Sequence, residues 1–343
     1  MTESLRIALV APIAYPTRPD IGSSIEQIVS LLAEEFTHRG HQVTLFATGD
    51  SQTSATLHAD YKRGYKEDPM LWNYYEFHEI THVSAAFEMA KQFDIIHCHA
   101  YHHALPFTCL VQTPVVHTYH INPAKDIINC YARYQEVQLV AVSQYHRSKF
   151  SILPDVAVVY NGIDVNAFPF NSTGGDYLVF LGHLNHQKGL VEAINIAKKV
   201  GMRLILAGQS SAYFEAEVKP LVDGKQIEYI GYVNVPERNK LLAGAAALLF
   251  PINSSEAFGL AMIEAMVCGT PVAAIKRCAI PEIIEFGITG YYADDVDSLA
   301  TLIPETLALN RAQVRQTVAA KFNHHRMVDD YENLYRQTLE RRR

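Results

Sequence analysis

The sequence lacks any continuous apolar stretch of the roughly 20 residues that a membrane-spanning helix needs. It also lacks a secretory signal at its start, since MTESLRIALVAP has the pattern of a strand and not that of a charged segment followed by an apolar one. These two absences predict a cytoplasmic protein.

Cysteine is scarce, and positive charge is not in excess. The five cysteines, at positions 98, 109, 130, 268 and 278, form no Cys-x-x-Cys pair, so reduced thiols are expected. A net charge of −7 disfavours a nucleic-acid-binding protein. Neither half contains the Gly-x-Gly-x-x-Gly turn of a dinucleotide-binding domain, which disfavours a dehydrogenase.

What is present is an alternation of short β-branched runs with helical patterns. With 343 residues, 49% of them hydrophobic, the chain has the size of two domains. The alternation predicts an α/β fold in which each domain has a doubly wound parallel sheet. The predicted strands are RIALVAP, QVTLFAT, DIIHCH, PVVHTYH and LVAVS in the first half, and YLVFLGH, RLILAG, IEYIGYV, ALLFP and PVAAI in the second.

A break in both patterns separates the two predicted domains. Pro169 and residues 172–175 interrupt the strand and the helix periods, so domains are expected over 1–168 and 176–322. The remaining segment, 323–343, has apolar residues at helical intervals and predicts a last helix.

The stretch EAFGLAMIE, from Glu256 to Glu264, joins an apolar run, LLFP, to a helical pattern. The backbone N–H groups of Phe258, Gly259 and Leu260 lie at the predicted helix N-terminus, where a phosphate is favoured. Two interpretations of the carboxylates are open. Either both bind hydroxyl groups of a nucleotide ligand, or Glu256 starts the helix and Glu264 lies on a solvated face. The apolar neighbours of Glu264 indicate a carboxylate that needs a partner.

The same stretch resembles the E-x7-E signature of the retaining family 4 glycosyltransferases, and the resemblance extends over nearly the whole chain. That family has the GT-B fold, in which two Rossmann-like domains face each other across a cleft. The resemblance therefore implies an N-terminal acceptor domain, a C-terminal donor domain and a last helix that crosses back to the first domain. The other segments that carry it are APIAYPTRPDIGSS, FDIIHCHA, PVVHTYH, VAVSQYHR, VVYNGIDVNAF, LGHLNHQKGL and CGTPVAA with PEII.

The resemblance implies a nucleotide-diphosphate sugar as donor, with UDP favoured over GDP, and no metal or other cofactor. Lys188 would bridge the diphosphate, Glu256 would hold the sugar and Glu264 the ribose. His183 stands where most relatives have an arginine that also neutralises the leaving group. We expect His183 to act in its place as a protonated imidazole, with activity falling above neutral pH.

Two segments of the first half are implied to reach the donor sugar. Gly22 and Ser23 occupy a loop that has paired glycines in the family, so Ser23 reduces its conformational freedom. The alternative is that Ser23 and Ser24 are helix caps. His120, the last histidine of PVVHTYH, matches the family residue that contacts the sugar near the reacting centre. The resemblance thus gives His120, Lys188 and Glu256 as catalytic residues.

The predicted acceptor domain contains clusters of histidines and aromatic residues. Residues 97–103 read HCHAYHH, which admits either a zinc site or strand-end histidines that line a sugar cleft. Trp72, His99 and Tyr101 are expected to contact the acceptor, because aromatic faces stack on sugars. For Trp72 the other interpretation is the buried stripe of a helix.

The resemblance implies a hexosyltransferase that acts on a hydroxyl group of a saccharide or glycolipid. Two rivals remain: a nucleotide-sugar epimerase on the same fold, and a non-catalytic carbohydrate-binding protein. His183 and the turn CAIPEII, which lacks the glycines usual in relatives, make the second rival conceivable. The presence of Lys188, Glu256 and Glu264 speaks against it. The terminal Arg341, Arg342 and Arg343 either attract anionic lipid at a membrane surface or form a frayed tail.

Overall fold

The computed structural model describes residues 4–342, which divide into two compact units. Unit 1 comprises the residues through Gly162 and those from His324 onward, and unit 2 is Ile163–Asn323. Each unit has its own parallel sheet, so the expected α/β fold with two doubly wound sheets is confirmed.

Unit 1 contains a sheet of seven parallel strands in the order β3-β2-β1-β4-β5-β6-β7. The strands are β1 (Arg6–Val10), β2 (Gln42–Phe46), β3 (Thr56–His58), β4 (Ile95–Cys98), β5 (Val115–Thr118), β6 (Gln138–Ala141) and β7 (Val156–Val158). The helices are α1 (Ser24–His38), α2 (Pro69–Trp72), α3 (Tyr75–Glu88), α4 (Leu105–Thr108), α5 (Lys125–Arg133) and α6 (Gln144–Ser148). The central strands β4 and β5 are buried along their whole length because helices cover both faces of such a sheet.

Unit 2 contains a sheet of six parallel strands in the order β10-β9-β8-β11-β12-β13. The strands are β8 (Tyr177–Leu181), β9 (Arg203–Ala207), β10 (Ile227–Tyr229), β11 (Ala247–Phe250), β12 (Val272–Ile275) and β13 (Gly290–Ala293). The helices are α7 (Leu190–Val200), α8 (Val235–Gly244), α9 (Leu260–Val267), α10 (Ile280–Ile283), α11 (Val296–Thr301), α12 (Ile303–Leu307) and α13 (Arg311–Phe322).

The last helix, α14 (His324–Glu340), belongs to unit 1 and packs against α1. A buried polar network fixes it to the sheet. The two ring nitrogens of His97 on β4 lie 2.6 Å from the Tyr335 hydroxyl and 2.8 Å from the Thr118 hydroxyl. The Thr118 hydroxyl in turn lies 2.9 Å from that of Tyr331. Every member is satisfied, so the network orients α14 without leaving a buried polar atom unpaired.

Beyond α14, two of the three terminal arginines bind their own unit. Arg341 donates to Gln138 at 3.0 Å and also contacts Asp155. Arg342 donates to backbone carbonyls, with the shorter contact, to Glu136, at 2.8 Å. Arg343 lies outside the described residues. No helix in residues 4–342 combines the length and the apolar character that crossing a bilayer requires.

The strand order places the functional loops. In each sheet the order reverses once, between β1 and β4 in unit 1 and between β8 and β11 in unit 2. Neighbouring loops diverge at such a point, which leaves a crevice beyond the carboxyl ends of the strands where ligands bind in open α/β sheets. The loops that follow these four strands are therefore where the candidate residues should lie.

Candidate functional site

In unit 2, the loops after β8 and β11 bring Lys188 and Glu256 together. Lys188 Nζ donates a hydrogen bond of 2.5 Å to Glu256 Oε2. The side chains keep 29% and 20% of their exposure, so solvent and ligands reach both. Because water still reaches this partly exposed ion pair, a ligand can replace either partner without leaving a fully buried charge.

Gly189 permits this meeting of the two loops. It follows the short 3-10 turn His186–Lys188 and has a φ of 74°, a conformation that favours glycine. A Cβ atom at this position would lie 1.8 Å from the carbonyl oxygen of Pro251, far inside contact distance. Only glycine therefore lets the β8 loop approach the β11 loop this closely.

Asn253 connects the same two loops, and no sequence pattern indicated it. Its backbone N–H donates to the Gln187 carbonyl at 2.8 Å, and its side chain donates to Glu192 Oε1 at 2.8 Å. Arg277 donates to the Asn253 carbonyl at 3.1 Å. The position of Lys188 relative to Glu256 is thus set by backbone as well as by side chains.

The N-terminus of α9 lies next to Glu256, since a Cβ atom at Gly259 would be 3.6 Å from Glu256 Cγ. Gly259 occupies the N-cap position with a φ of 93° and supplies no side-chain cap, so the first backbone N–H groups of the helix are left for another acceptor. Phe258 beside it is buried, with its ring centroid 5.7 Å from that of Phe322. Leu260 is the first residue of the helix and is partly buried.

Glu264 is buried inside unit 2, so its interpretation as a solvated surface residue is wrong. It retains 6% exposure and pairs with Arg238 of α8, whose Nη1 lies 2.9 Å from Glu264 Oε1. Burial raises the pKa of Glu264, and the Arg238 charge opposes that rise. Arg238 Nη2 is also buried and makes no hydrogen bond within residues 4–342. The expectation that Glu264 needs a partner is confirmed, but the sequence did not identify Arg238.

His183 lies in the β8 loop, as does Lys188. It follows Gly182, is exposed, and accepts a hydrogen bond of 2.9 Å from the Asn185 backbone through its carbonyl oxygen. Lys188, Glu256, His183 and the helix end at Gly259 thus occupy the two loops that flank the strand-order reversal of unit 2.

In unit 1, the loop after β1 is held by buried carboxyl groups. Ser23 occupies the N-cap position of α1, but its side chain caps no backbone N–H and donates instead to the Glu26 carboxyl. Burial raises the pKa of Glu26 to about 7. Gly22 beside Ser23 is exposed. The helix-cap interpretation therefore holds for the position of Ser23 and not for its side chain.

Glu79 is a second buried carboxyl group under this loop, and no sequence pattern indicated it. Its Oε1 accepts a hydrogen bond of 3.0 Å from the Ile13 backbone. The side chain is fully buried, and burial raises its pKa to about 8, an effect to which nearby Glu26 adds. A neutral carboxyl group at this place is the form that burial favours. Because Glu79 lies within a helical pattern of mixed polarity, no spacing distinguished it.

His99 and His120 follow β4 and β5 and contact each other directly. His99 Nδ1 lies 2.9 Å from His120 Nε2. Burial lowers the pKa of His120 to about 3 and that of His99 well below its usual range. Both rings are therefore neutral at physiological pH.

Trp72 and Tyr101 lie on the surface of unit 1 near these loops. Trp72 is 45% exposed, so the buried-stripe interpretation is wrong. Its ring stacks on that of Tyr75 with centroids 5.7 Å apart, and Lys66 Nζ lies 3.9 Å from its ring centre. Tyr101 is partly buried and has a φ of 44°, which is uncommon for a residue with a side chain. Their contact with an acceptor stays a prediction.

Two protein families match consecutive parts of the chain. The family described as Glycosyltransferase Family 4 matches residues 25–167, and that described as Glycosyl transferases group 1 matches residues 165–321. Together the matches cover most of unit 1 and nearly all of unit 2.

Individual relatives are distant in sequence. An uncharacterized glycosyltransferase of Methanocaldococcus jannaschii is 25% identical over 243 residues, which are 60% of this chain and 62% of the relative, less than two thirds of its length. A phosphatidyl-myo-inositol mannosyltransferase of Mycobacterium tuberculosis is 23% identical over 317 residues, which are 84% of this chain and 82% of that protein.

A solved structure shares the fold over almost the full length. Anabaena HepE, determined in complex with UDP and glucose, superposes with a TM-score of 0.72 at 17% identity and covers 97% of this chain and 100% of its own. At this identity the similarity shows a common fold.

Proposed function

Because this chain belongs to the family 4 glycosyltransferases of the GT-B fold, we propose that it transfers a hexose from a nucleotide-diphosphate sugar to a hydroxyl acceptor with retention of anomeric configuration. The observation that carries the proposal is the 2.5 Å pair between Lys188 and Glu256 beside the N-terminus of α9. One cation, one carboxylate and a helix end are the groups that a diphosphate joined to a sugar would require.

Unit 2 binds the donor in this proposal. The diphosphate replaces Glu256 as the partner of Lys188, since its two negative charges exceed the single charge of a carboxylate and it lies against the positive end of α9. Glu256 is thereby released to accept hydrogen bonds from sugar hydroxyl groups. The partial exposure of this ion pair favours the exchange.

Glu264 binds the ribose diol of the nucleotide. Arg238 at 2.9 Å favours its ionised form, and an ionised carboxylate can accept a hydrogen bond from each hydroxyl. We favour UDP as the nucleotide, with GDP as the alternative. The fold shared with HepE, which binds UDP and glucose, supports this choice.

The reaction requires charge stabilisation more than a protein nucleophile. The bond between the sugar's anomeric carbon and the phosphate oxygen breaks through an oxocarbenium-like transition state. The acceptor oxygen bonds to the same face, and its proton passes to the departing diphosphate. Lys188, His183 and the helix end at Gly259 stabilise the leaving charge, and His120 contacts the sugar. These groups would supply the charge that a divalent metal supplies elsewhere.

Unit 1 binds the acceptor in this proposal, and a saccharide or glycolipid is the class that we favour. The exposed stacked rings of Trp72 and Tyr75 offer the aromatic face on which a sugar ring packs. The mycobacterial relative, which is named as a mannosyltransferase acting on phosphatidyl-myo-inositol, supports an acceptor of the glycolipid kind.

Nucleotide binding tests the proposal directly. Thermal unfolding is followed with UDP-, GDP- and ADP-sugars in the presence of a chelator, for the wild type, Lys188→Met and Glu264→Ala. We expect one nucleotide class to add about 2.7 kcal/mol at 100 times its dissociation constant, and both variants to lose most of it. The control is Glu228→Gln, which removes a partly exposed carboxylate paired with Arg203 in the same unit.

The outcomes separate the rivals. Turnover of the donor without any acceptor would favour an epimerase. Absence of stabilisation by all three nucleotides would favour a non-catalytic carbohydrate-binding protein. Where a donor binds, the anomeric configuration of the product, read by proton NMR, decides between retention and inversion.

A further inference from the structure

The pair formed by His99 and His120 in unit 1 is asymmetric. His99 is buried, with 1% exposure, whereas His120 is partly exposed. The contact between His99 Nδ1 and His120 Nε2 is 2.9 Å, and the ring planes differ by 23°. His99 therefore lies behind His120 and supports it from the interior of the unit.

Only one hydrogen can lie between these two nitrogens. Burial holds both imidazoles neutral, and the nearby rings of His97, His117 and His146 add to that effect. A neutral imidazole has one N–H donor and one bare nitrogen that accepts. The hydrogen in the contact belongs either to Nδ1 of His99 or to Nε2 of His120.

The second nitrogen of His99 decides between the two arrangements. His99 Nε2 is buried and makes no hydrogen bond within residues 4–342. If His120 were the donor, His99 would carry its hydrogen on this buried nitrogen and leave an N–H group without an acceptor. Orphaned buried N–H groups are rarer in proteins than orphaned acceptors. The arrangement in which His99 Nδ1–H donates to His120 Nε2 is therefore favoured.

We propose that His99 is a positioning residue that fixes His120 in the tautomer carrying its hydrogen on Nδ1. His120 then presents an N–H donor on the ring nitrogen that makes no hydrogen bond within the described part of the chain. This N–H donates to an oxygen of the donor sugar. The last step rests on the proposed function, in which His120 contacts that sugar.

His146 fixes the backbone next to His120 through hydrogen bonds from its own ring. Its Nδ1 accepts from the Val142 backbone N–H at 3.2 Å, and its Nε2–H donates to the Ile121 carbonyl at 2.9 Å. Because both partners are backbone groups, the tautomer of His146 is fixed as well. The residue that follows His120 is thereby anchored, while His99 sets the hydrogen on the ring.

Nitrogen-15 NMR of the free protein tests the tautomer without any substrate. Histidine ring nitrogens that carry a hydrogen resonate apart from those that do not, and a His120→Gln sample assigns the signals. At neutral pH we expect a protonated Nδ1 and a bare Nε2 on His120 in the wild type. The reverse pattern, or a mixture in which neither tautomer dominates, would overturn the proposal.

Kinetics of two variants test the positioning role. His99→Phe keeps a ring and removes the donor, and His99→Asn restores an amide N–H near the position of Nδ1. We expect kcat to fall about tenfold in His99→Phe, the effect of one neutral hydrogen bond, with recovery in His99→Asn and an unchanged dissociation constant for UDP. His117→Phe, which loses a buried contact to Tyr131, is the matched control.

The results also separate this inference from the proposed function. Equal losses in both His99 variants, or a matching loss in the His117 control, would mean that His99 acts only on stability. An unchanged kcat in His120→Phe would overturn the sugar contact while the NMR result still decides the tautomer.

Discussion

At the scale of single residues, Gly189 is the position where one added atom should have the largest effect. A Cβ atom would lie 1.8 Å from the Pro251 carbonyl oxygen, so Gly189→Ala must separate the β8 and β11 loops and with them Lys188 and Glu256. We expect a loss of stability of about 2 kcal/mol or more from backbone strain and collision together, and a fall in kcat/KM of at least about tenfold. Thermal unfolding and steady-state kinetics measure the two effects.

Gly201 supplies a matched control for that prediction. It has a similar φ, 69° against 74° for Gly189, but a Cβ atom there would meet nothing within 4 Å. Gly201→Ala should therefore show the cost of the left-handed backbone alone, about 1 kcal/mol, with kinetics unchanged. Equal effects of the two substitutions would refute the collision as the cause.

Glu79 makes the stability of the protein depend on pH. Its pKa is raised from an ordinary 4.5 in the unfolded chain to about 8 in the folded protein. Its contribution to the free energy of unfolding is therefore complete below pH 4.5 and is lost as the pH rises through 8. The slope is about 1.4 kcal/mol per pH unit across that window. Glu79→Gln, which cannot ionise, should gain stability over the wild type as pH rises from 4.5 to 8.

Urea unfolding at the two ends of the window measures this difference. Glu88→Gln is the control, since Glu88 lies on the same helix but is exposed. A gain that does not change with pH would show that the Glu79 carboxyl ionises normally in the folded protein.

Residue identity predicted the members of the candidate site better than it predicted their partners. Lys188, Glu256 and Glu264 were found because each stands in a recognisable segment, and the apolar neighbours of Glu264 indicated a buried carboxylate. Arg238, which satisfies Glu264, lies 26 residues earlier on a different helix. No local pattern encodes such a contact, because it depends on how α8 and α9 pack.

At the scale of secondary-structure elements, the sequence predicted the central strands and the edge strand β10, within IEYIGYV, but missed the strands at the other three edges. The strands β3, β7 and β13 lie at the margins of the two sheets, have three or four residues, and are only partly buried. A strand that is solvated on one side needs no continuous apolar run, so the signal that identified β1, β4 and β8 is absent from it. The helix α13 was missed for a similar reason, because its polar residues outnumber its buried ones.

The attachment of α14 depends on its two tyrosine hydroxyls. Tyr335→Phe removes the partner of His97 Nδ1 at 2.6 Å and leaves a buried ring nitrogen unsatisfied. We expect a loss of about 1–3 kcal/mol, the cost of one orphaned buried polar group, and faster proteolysis within α14. Tyr232→Phe, at a site that is 66% exposed in unit 2, is the control and should leave both measurements unchanged.

At the scale of the whole molecule, the two units should respond differently to acid. Seven histidines of unit 1 are held neutral by burial. Burial lowers the pKa to about 4 in His82, His103 and His146, to about 3 in His117 and His120, and well below the ordinary 6.5 in His97 and His99. Each contributes stability that is present above 6.5 and is lost as pH falls toward its folded value. The described histidines of unit 2, His183 and His186, are exposed.

Unit 1 is therefore expected to unfold first as the pH falls below 6.5. Hydrogen exchange followed by mass spectrometry measures this, with peptides of unit 1 losing protection at a higher pH than those of unit 2. Fluorescence of Trp72, the sole tryptophan and a residue of unit 1, gives a second reading. Simultaneous loss of protection in both units would contradict the prediction.

Because α14 belongs to unit 1, the two units are completed in a fixed order during translation. Unit 2 lies within the sequence of unit 1, because residues 163–323 separate Gly162 from His324. A ribosome has therefore released every strand of unit 1 long before it translates Tyr331 and Tyr335, the residues that satisfy Thr118 and His97. Unit 2 is the first to emerge complete, and until α14 follows it the first sheet lacks the two tyrosine hydroxyls that contact His97 Nδ1 and Thr118.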